Sequence, residues 1–238
     1  MTMISNKAID LIEPALAETT AARTGRVFFN ALNEFGVSAI FARAYRSSAS
    51  LFTDEEHIFS RISPPGWESI YDEKPFRHVN FLTREIRRRA DPFKWTEVER
   101  ISSSEDQLYE TLVDNGFPDG LATPCHGPGG YVGVVSLAFR DMPAVSPAEL
   151  AAIQFASVVL HNRMRSVSKL AAPDLPKLSR RERDCIGFIA EGKSDWEISV
   201  ILGVSHTTII SHVQNAKRKL NVTTRAQAVA RCLTAGLL

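Results

Sequence analysis

Thr207, Ser211, Gln214 and Arg218 recur through one stretch of the chain at steps of four, three and four residues. With Ile209 facing inward and about 100° of rotation per helical residue, the four side chains project together on the opposite face. Hydroxyl, amide and guanidinium groups hydrogen-bond to base edges in the major groove, a glutamine making two bonds to adenine. Thr208 stands beside this face. Lys217, Lys219 and Arg225 flank it as cations that would neutralise phosphates, with an affinity that falls steeply in salt. A solvated helix face would carry the same polarity, so the surrounding elements must decide between the two.

Those elements form a regular series. Ser179 followed by Glu182 is a capping box, and it opens a helix whose apolar stripe is Ile186, Ile189 and Ala190, closed by Gly192. Ser194 opens a second helix holding Trp196, Ile198, Ile201 and Leu202. Gly203-Val204-Ser205 makes a tight turn, and Ser205 caps a third helix, His206–Leu220, with Ile209, Val213, Ala216 and Leu220 along one side. A fourth helix spans about 224–235. Two helices joined by a three-residue glycine turn form a helix-turn-helix, whose second helix enters the major groove.

Charge supports that reading. The chain has 238 residues and a net charge of +1, yet residues 177–238 carry ten basic against five acidic side chains. A basic end on a mildly acidic body suits a polyanionic partner. Over the full chain, 44% hydrophobic and 23% charged residues are ordinary for a globular protein. No stretch has the length of apolar residues a membrane span requires, and the amino terminus lacks the apolar core of a secretory signal. The three cysteines, Cys125, Cys185 and Cys232, are far apart and odd in number, so neither a disulfide framework nor a metal site is expected. A reduced, cytoplasmic protein without cofactor follows.

Other candidate chemistry has simpler explanations. Cys125-His126 are adjacent with no third orienting group, which makes a catalytic pair a poor reading. Glu97, Glu99, Glu105 and Asp106 read as a surface loop. The Gly127–Gly130 segment lacks the helix and lysine of a phosphate loop. Arg84, Arg87, Arg88 and Arg89 read as a solvated helix face. No enzyme is expected.

The stretch 166–177, SVSKLAAPDLPK, is small, polar and twice interrupted by proline, and it reads as a linker between domains 1–165 and 178–238. Ahead of it, Ser146-Pro147-Ala148-Glu149 starts a helix running to about Arg165. Helices are expected near 4–19, 22–35, 67–72, 81–89 and 105–115. A strand is expected at 37–45, and a hairpin of 121–126 with 131–140 turning over Gly127-Pro128-Gly129-Gly130. The fold class is α+β: helices on an antiparallel sheet, followed by an all-α four-helix domain.

The segment Leu178 to Ser194, with Glu182, Ile186 and Gly192, resembles the start of a LuxR-type DNA-binding domain. Glu197-Ile198, Leu202-Gly203-Val204-Ser205, Thr207-Thr208-Ile209, His212, Lys219-Leu220 and Thr224-Arg225-Ala226-Gln227-Ala228 continue the likeness. Residues 1–165 resemble, more faintly, the autoinducer-binding domain of LuxR-type quorum-sensing regulators. Trp67 with Tyr71, then Phe93-Lys94-Trp95, Gly116-Phe117 with Gly120, and Gly130-Tyr131 leading to Ser136 carry this likeness. It implies an α-β-α sandwich enclosing an N-acyl-homoserine lactone. Trp67 matches the tryptophan that donates to the lactone carbonyl, and Tyr71 an aromatic along the acyl chain. Trp95 matches the wall of the lactone, Ser136 a hydroxyl near the polar waist, and Gly120 a point of close backbone approach.

Two positions depart from the family pattern. Asn80-Phe81 stand where the family has Asp-Pro, whose carboxylate accepts the ligand amide N–H, and Ser63 stands in place of a tyrosine. Asp91-Pro92 lies too near Trp95 to substitute. Asn80 can accept through its carbonyl oxygen but without charge assistance. The expectation is a retuned pocket, for a different acyl chain or a non-lactone signal, or a domain that has lost ligand dependence and meets a protein partner. In either case a homodimer on a pseudo-palindromic DNA site is expected, since one helix-turn-helix makes few base contacts.

Overall fold

The computed structural model describes residues 2–47, 54–73, 76, 80–127, 131–140, 145–168 and 177–238. The chain divides into two units, one carrying the sheet and its helices and the other carrying the last four helices. In the first, α1 (Thr2–Leu16) and α2 (Ala21–Ala31) precede β1 (Val37–Ser47) and β2 (Asp54–Ile62). Then come α3 (Trp67–Glu73), α4 (Phe81–Ile86), β3 (Phe93–Lys94), α5 (Ser103–Asp114), β4 (Asp119–Gly127), β5 (Tyr131–Phe139) and α6 (Pro147–Val167).

The strands form one sheet in the order β2-β1-β5-β4-β3. β5 pairs antiparallel with both β1 and β4, and β3 pairs antiparallel with β4. Strand alternation then gives each strand two faces. Ile40, Ala42, Leu121, Val135 and Leu137 face α1, α2 and α6 in one core. Ala39, Ala122, Val134 and Ala138 belong to a second core with α3, α4, α5 and the buried aromatics Trp67, Phe81, Trp95 and Phe117. The result is the expected α-β-α sandwich.

Local chemistry sets the element ends. Ser146 and Glu149 close a full capping box at the start of α6, with Pro147 in its first turn. Gly36, at φ 73°, takes the left-handed conformation that ends the 3₁₀ turn 33–35 and feeds β1.

The structure corrects several details. β2 and the short β3 were not expected from the sequence. In β2 the charged run Asp54-Glu55-Glu56-His57 masks strand character, although its later residues Phe59 and Ser60 are buried. Glu105 is not in a surface loop: it is buried on α5, where its carboxylate takes Arg84 Nε at 3.1 Å and the Ile101 N–H at 2.8 Å. Arg84 and Arg89 are therefore pinned, the second by Glu85 at 2.6 Å, while Arg87 and Arg88 are exposed. The tip of the expected hairpin, 128–130, and most of the expected linker, 169–176, lie outside the described residues.

In the second unit α7 (Arg180–Ala190), α8 (Asp195–Leu202), α9 (His206–Lys219) and α10 (Arg225–Thr234) pack around Ile186, Ile198, Ile209, Val213, Ala216 and Ala228. Ser179 with Glu182, Ser194 with Glu197, and Thr224 with Gln227 each form a complete capping box. Gly203, at φ 64°, ends α8 and sets the turn into α9. Trp196 and Ile201 do not join this core: they are 67% and 49% exposed, because Ile198 and Ser199 supply the inward face of α8.

Candidate functional site

Between the sheet and α3–α5 of the first unit lies a cavity with about 40 Å³ of free space for the centre of a water-sized molecule. Roughly 10–15 Å³ on that measure admits one water. Trp67, Tyr71, Asn80, Trp95 and Ser136 line it, as the sequence suggests, together with Phe41, Arg43, Glu56, Arg61, Leu82, Leu108 and Leu112.

Each expected residue has a structural cause for its place. Trp95 begins a 3₁₀ turn just after β3, and the pairing of Phe93 with Ala122 fixes it against the sheet. Its indole passes so close to Gly120 that a Cβ there would fall 2.3 Å from Trp95 Cε2. Gly120 thus supports the cavity wall without lining it. Ser136 stands opposite Ala122 in the β4–β5 register, on the cavity face of β5. Trp67 opens α3 and meets Phe117 edge-on at 5.0 Å and Tyr71 at 6.0 Å.

Trp95 Nε1 and Ser136 Oγ are buried with no hydrogen-bond partner, and so are Arg43 Nε and Arg61 Nη2. Buried polar groups are almost always paired, because leaving one unpaired costs about 1–3 kcal/mol. Four such atoms on residues around one cavity mark a place where a partner is missing. Ser63 Oγ, at the position of the family tyrosine, is also buried and unpartnered.

Asn80 departs from its expected role. Its Oδ1 accepts the N–H groups of Leu82 at 2.9 Å and Thr83 at 3.2 Å, capping α4, and its Nδ2 donates to the Tyr71 hydroxyl at 2.9 Å. An amide oxygen has two lone pairs, and both are in use. Phe81 is a further correction. It is wholly buried, packs edge-on with Tyr109 at 6.3 Å and does not line the cavity. Arg43, Glu56 and Arg61 were missed, and with them β1 and β2 as cavity walls. Arg43 donates to Glu56 at 3.0 Å, while Arg61 pairs with the more exposed Asp72 and Glu68 and stacks over the Tyr71 ring at 5.8 Å.

On the opposite face of the sheet, Tyr131 and His161 share a buried hydrogen bond of 2.9 Å. Burial holds the His161 imidazole down to about 3, with the Arg165 charge adding to it, and burial pushes the Cys125 thiol up to about 12. Burial thus favours the neutral form of both groups. Among the described residues no cluster of His, Cys, Asp and Glu could hold a metal ion. None of the described helices is long and apolar enough to cross a membrane.

On α9, Thr207, Ser211, Gln214 and Arg218 are all exposed, and the buried side is Ile209, Val213 and Ala216. Arg218 is steadied by Asn215 at 3.1 Å. Thr208, half-buried at the cap, has its hydroxyl 2.7 Å from that of Ser205. Lys217 is half-buried. Two flanking cations are tied down instead. Arg225 grips Asp195 through both terminal nitrogens, at 2.7 and 2.5 Å, and Lys219 reaches Glu182 at 2.7 Å. Burial of Glu182 opposes its ionisation, yet the bonds from Lys219 and Ser179 keep its carboxyl below the usual range. Arg225 and Lys219 therefore clamp α10 to α8 and α9 to α7.

Comparison with known proteins finds matches to both units. Residues 20–164 match the autoinducer binding domain, and residues 176–232 match the luxR family of bacterial regulatory proteins. The transcriptional activator VanR of Vibrio anguillarum is 28% identical over 208 residues, covering 86% of this chain and 83% of VanR. RpaR of Rhodopseudomonas palustris, a quorum sensing-dependent transcriptional regulator, is 31% identical over 178 residues, covering 74% of this chain and 72% of RpaR. The solved structure of SdiA, an Escherichia coli protein, in complex with octanoyl-rac-glycerol shares the fold. Its TM-score is 0.70 at 18% identity, covering 100% of this chain and 97% of that one. The chain belongs to the LuxR family of quorum-sensing transcriptional regulators, with an autoinducer-binding domain followed by a helix-turn-helix DNA-binding domain.

Proposed function

We propose that residues 1–165 take up a small amphiphilic acyl signal, an N-acyl-homoserine lactone or a related molecule, and that its occupancy controls DNA binding by residues 178–238. Residues 166–177 link the two. Trp67, Tyr71, Trp95 and Ser136 hold the signal, while Thr207, Ser211, Gln214 and Arg218 read base edges and Lys217 and Thr208 meet the backbone. The protein works in the cytoplasm as a homodimer on a pseudo-palindromic site. Exposed Phe155 and Val158 on α6, with Ile9 and Leu16 on α1, offer apolar surface for the second copy. Binding acts by population shift, favouring the dimer geometry that suits DNA.

The observation that carries this reading is the set of unpartnered buried polar atoms around an otherwise apolar cavity. Apolar walls with a few convergent donors suit an amphiphile with carbonyl oxygens. The complex of SdiA with an octanoyl glycerol shows that a protein of this fold accommodates an acyl chain. Solvent extraction of the purified chain, followed by weighing the extract, tests the reading. One acyl compound recovered per chain is expected. A chain that emerges empty, and whose melting midpoint no acyl lactone raises, would overturn it.

A further inference from the structure

The unpartnered donors around the cavity fall into two groups on opposite sides of the sheet. Trp95 Nε1 and Ser136 Oγ belong to the β3 and β5 side, Arg43 Nε and Arg61 Nη2 to β1 and β2. Ser136 stands opposite Phe41 in the β1–β5 register, and Arg43 is two residues further along the same face of β1. One strand spacing and two residues of rise separate the Cα atoms of Ser136 and Arg43 by roughly 8 Å. Arg43 donates at 3.0 Å to Glu56 on β2, which draws its guanidinium away from β5. Arg43 and Arg61 meet at one ring: Arg61 lies 5.8 Å from the Tyr71 centroid, and the Tyr71 hydroxyl is beside Arg43. Phe41, Leu82, Leu108 and Leu112 supply the apolar wall of the same cavity.

Resting on the reading that this cavity holds an acyl signal, we propose that the tail of the signal carries a hydroxyl group toward its far end, bound between Arg61, Arg43 and Glu56. The carbonyl oxygen of the head then meets Trp95 and Ser136, and the two ends of the ligand serve the two groups of donors. A hydroxyl suits the second group because it both accepts and donates. Its oxygen takes the guanidinium N–H groups. Its proton goes to Glu56, whose Oε1 receives Arg43 and the Tyr45 hydroxyl while Oε2 takes no bond from the described residues. A plain alkyl tail would leave both guanidinium donors bare. A carboxylate tail would add a negative charge where Arg43 already has Glu56 and Arg61 has Asp72 and Glu68. Arg61 is the specificity-determining residue: its ion-pair partners are the more exposed ones, and its buried Nη2 is left over for the ligand.

The test is calorimetric titration of the full chain with a matched pair of probes, N-octanoyl-homoserine lactone and N-(ω-hydroxyoctanoyl)-homoserine lactone. The two share head and chain length and differ only in the terminal hydroxyl. In a wholly apolar tail site that hydroxyl would be buried unpaired and would weaken binding about tenfold. Bonds to charged partners reverse the sign, so the native chain is expected to bind the hydroxylated probe about tenfold tighter. Arg61→Met keeps the apolar stem and removes the donors, and it is expected to bring the ratio of the two affinities to one or below. Both probes are read on the same variant, so a general loss of stability cancels from the ratio, and the preference of the native chain tests the inference whether or not the variant folds. Equal or weaker binding of the hydroxylated probe by the native chain would overturn the inference and leave the acyl-signal reading standing. An unchanged ratio in Arg61→Met would overturn the role given to Arg61. If neither probe binds, the acyl-signal reading fails and the inference with it.

Discussion

The Trp95 indole lies against the Gly120 backbone so tightly that an added Cβ would meet Trp95 Cε2 at 2.3 Å and the Leu137 carbonyl oxygen at 2.4 Å. The second contact is to backbone in the middle of the sheet, which cannot give way. Gly120→Ala must therefore displace the indole or the strand. Overpacking of this kind costs about 1–3 kcal/mol. A fall in the urea midpoint of the first unit is expected, together with loss of ligand-induced stabilisation; an unchanged midpoint would show that the wall is soft.

On α9 the exposed quartet and the neighbouring lysine have separable tasks. Gln214→Ala removes a side chain able to make two bonds to a base, so it should lower affinity for the specific site by about 1–3 kcal/mol and leave random DNA nearly unaffected. Lys217→Ala should weaken both alike and lessen the salt dependence by about one charge. Fluorescence anisotropy on specific and random duplexes across a salt series distinguishes them. Equal losses from Gln214→Ala on both duplexes would contradict the assignment.

Arg225 is expected to act in the fold and not on phosphate. Its bidentate bond to Asp195 joins the start of α10 to the start of α8, and the Asp195 carboxylate is buried while the guanidinium is half exposed. A double-mutant cycle of Arg225→Ala with Asp195→Ala should give a coupling of about 1 kcal/mol, the exposure of the arginine keeping it modest. The salt slope of DNA binding should be the same in native and Arg225→Ala chains. A slope reduced by one charge would restore Arg225 to the phosphate contacts.

Much of this was legible in the sequence, and the failures have physical causes. Capping boxes, the Gly203 turn and the apolar stripe of α9 are local, and they give the helices and the exposed polar face of α9 where the structure has them. Trp67, Tyr71, Trp95 and Ser136 reach the cavity as expected. The fates of Arg225 and Lys219 depend on acids 30 and 37 residues away, which no local pattern reveals. β2 escaped notice because an edge strand tolerates charge, and with it went Glu56 and Arg61. Asn80 was readable in principle. An asparagine just before an apolar run is a strong helix cap, and that local demand takes the oxygen that the family resemblance assigns to a ligand.

Acid should weaken the first unit through His161. Its imidazole is wholly buried and held down to about 3, against 6.5 when unfolded. Between those values the unfolded chain binds the extra proton, so stability present above pH 6.5 is lost as pH falls, at up to about 1.4 kcal/mol per pH unit. Going from pH 7 to 5 should cost the native chain about 2 kcal/mol more than His161→Gln, which keeps a partner for Tyr131 but cannot titrate. Urea denaturation at both values measures the difference. Identical pH profiles would show that the imidazole is free to charge in the folded state.

The most direct test of the central claim is the thermal midpoint of the native and Trp95→Phe chains, with and without a panel of acyl lactones of amide and ester type. Phenylalanine keeps an aromatic wall and deletes the unpartnered Nε1–H. The unliganded variant should melt no lower than the native chain, since a buried orphan donor is gone. The native chain should gain several degrees from its best ligand and the variant much less. A native chain indifferent to every member of the panel, or a variant that responds as strongly as the native chain, would contradict the account.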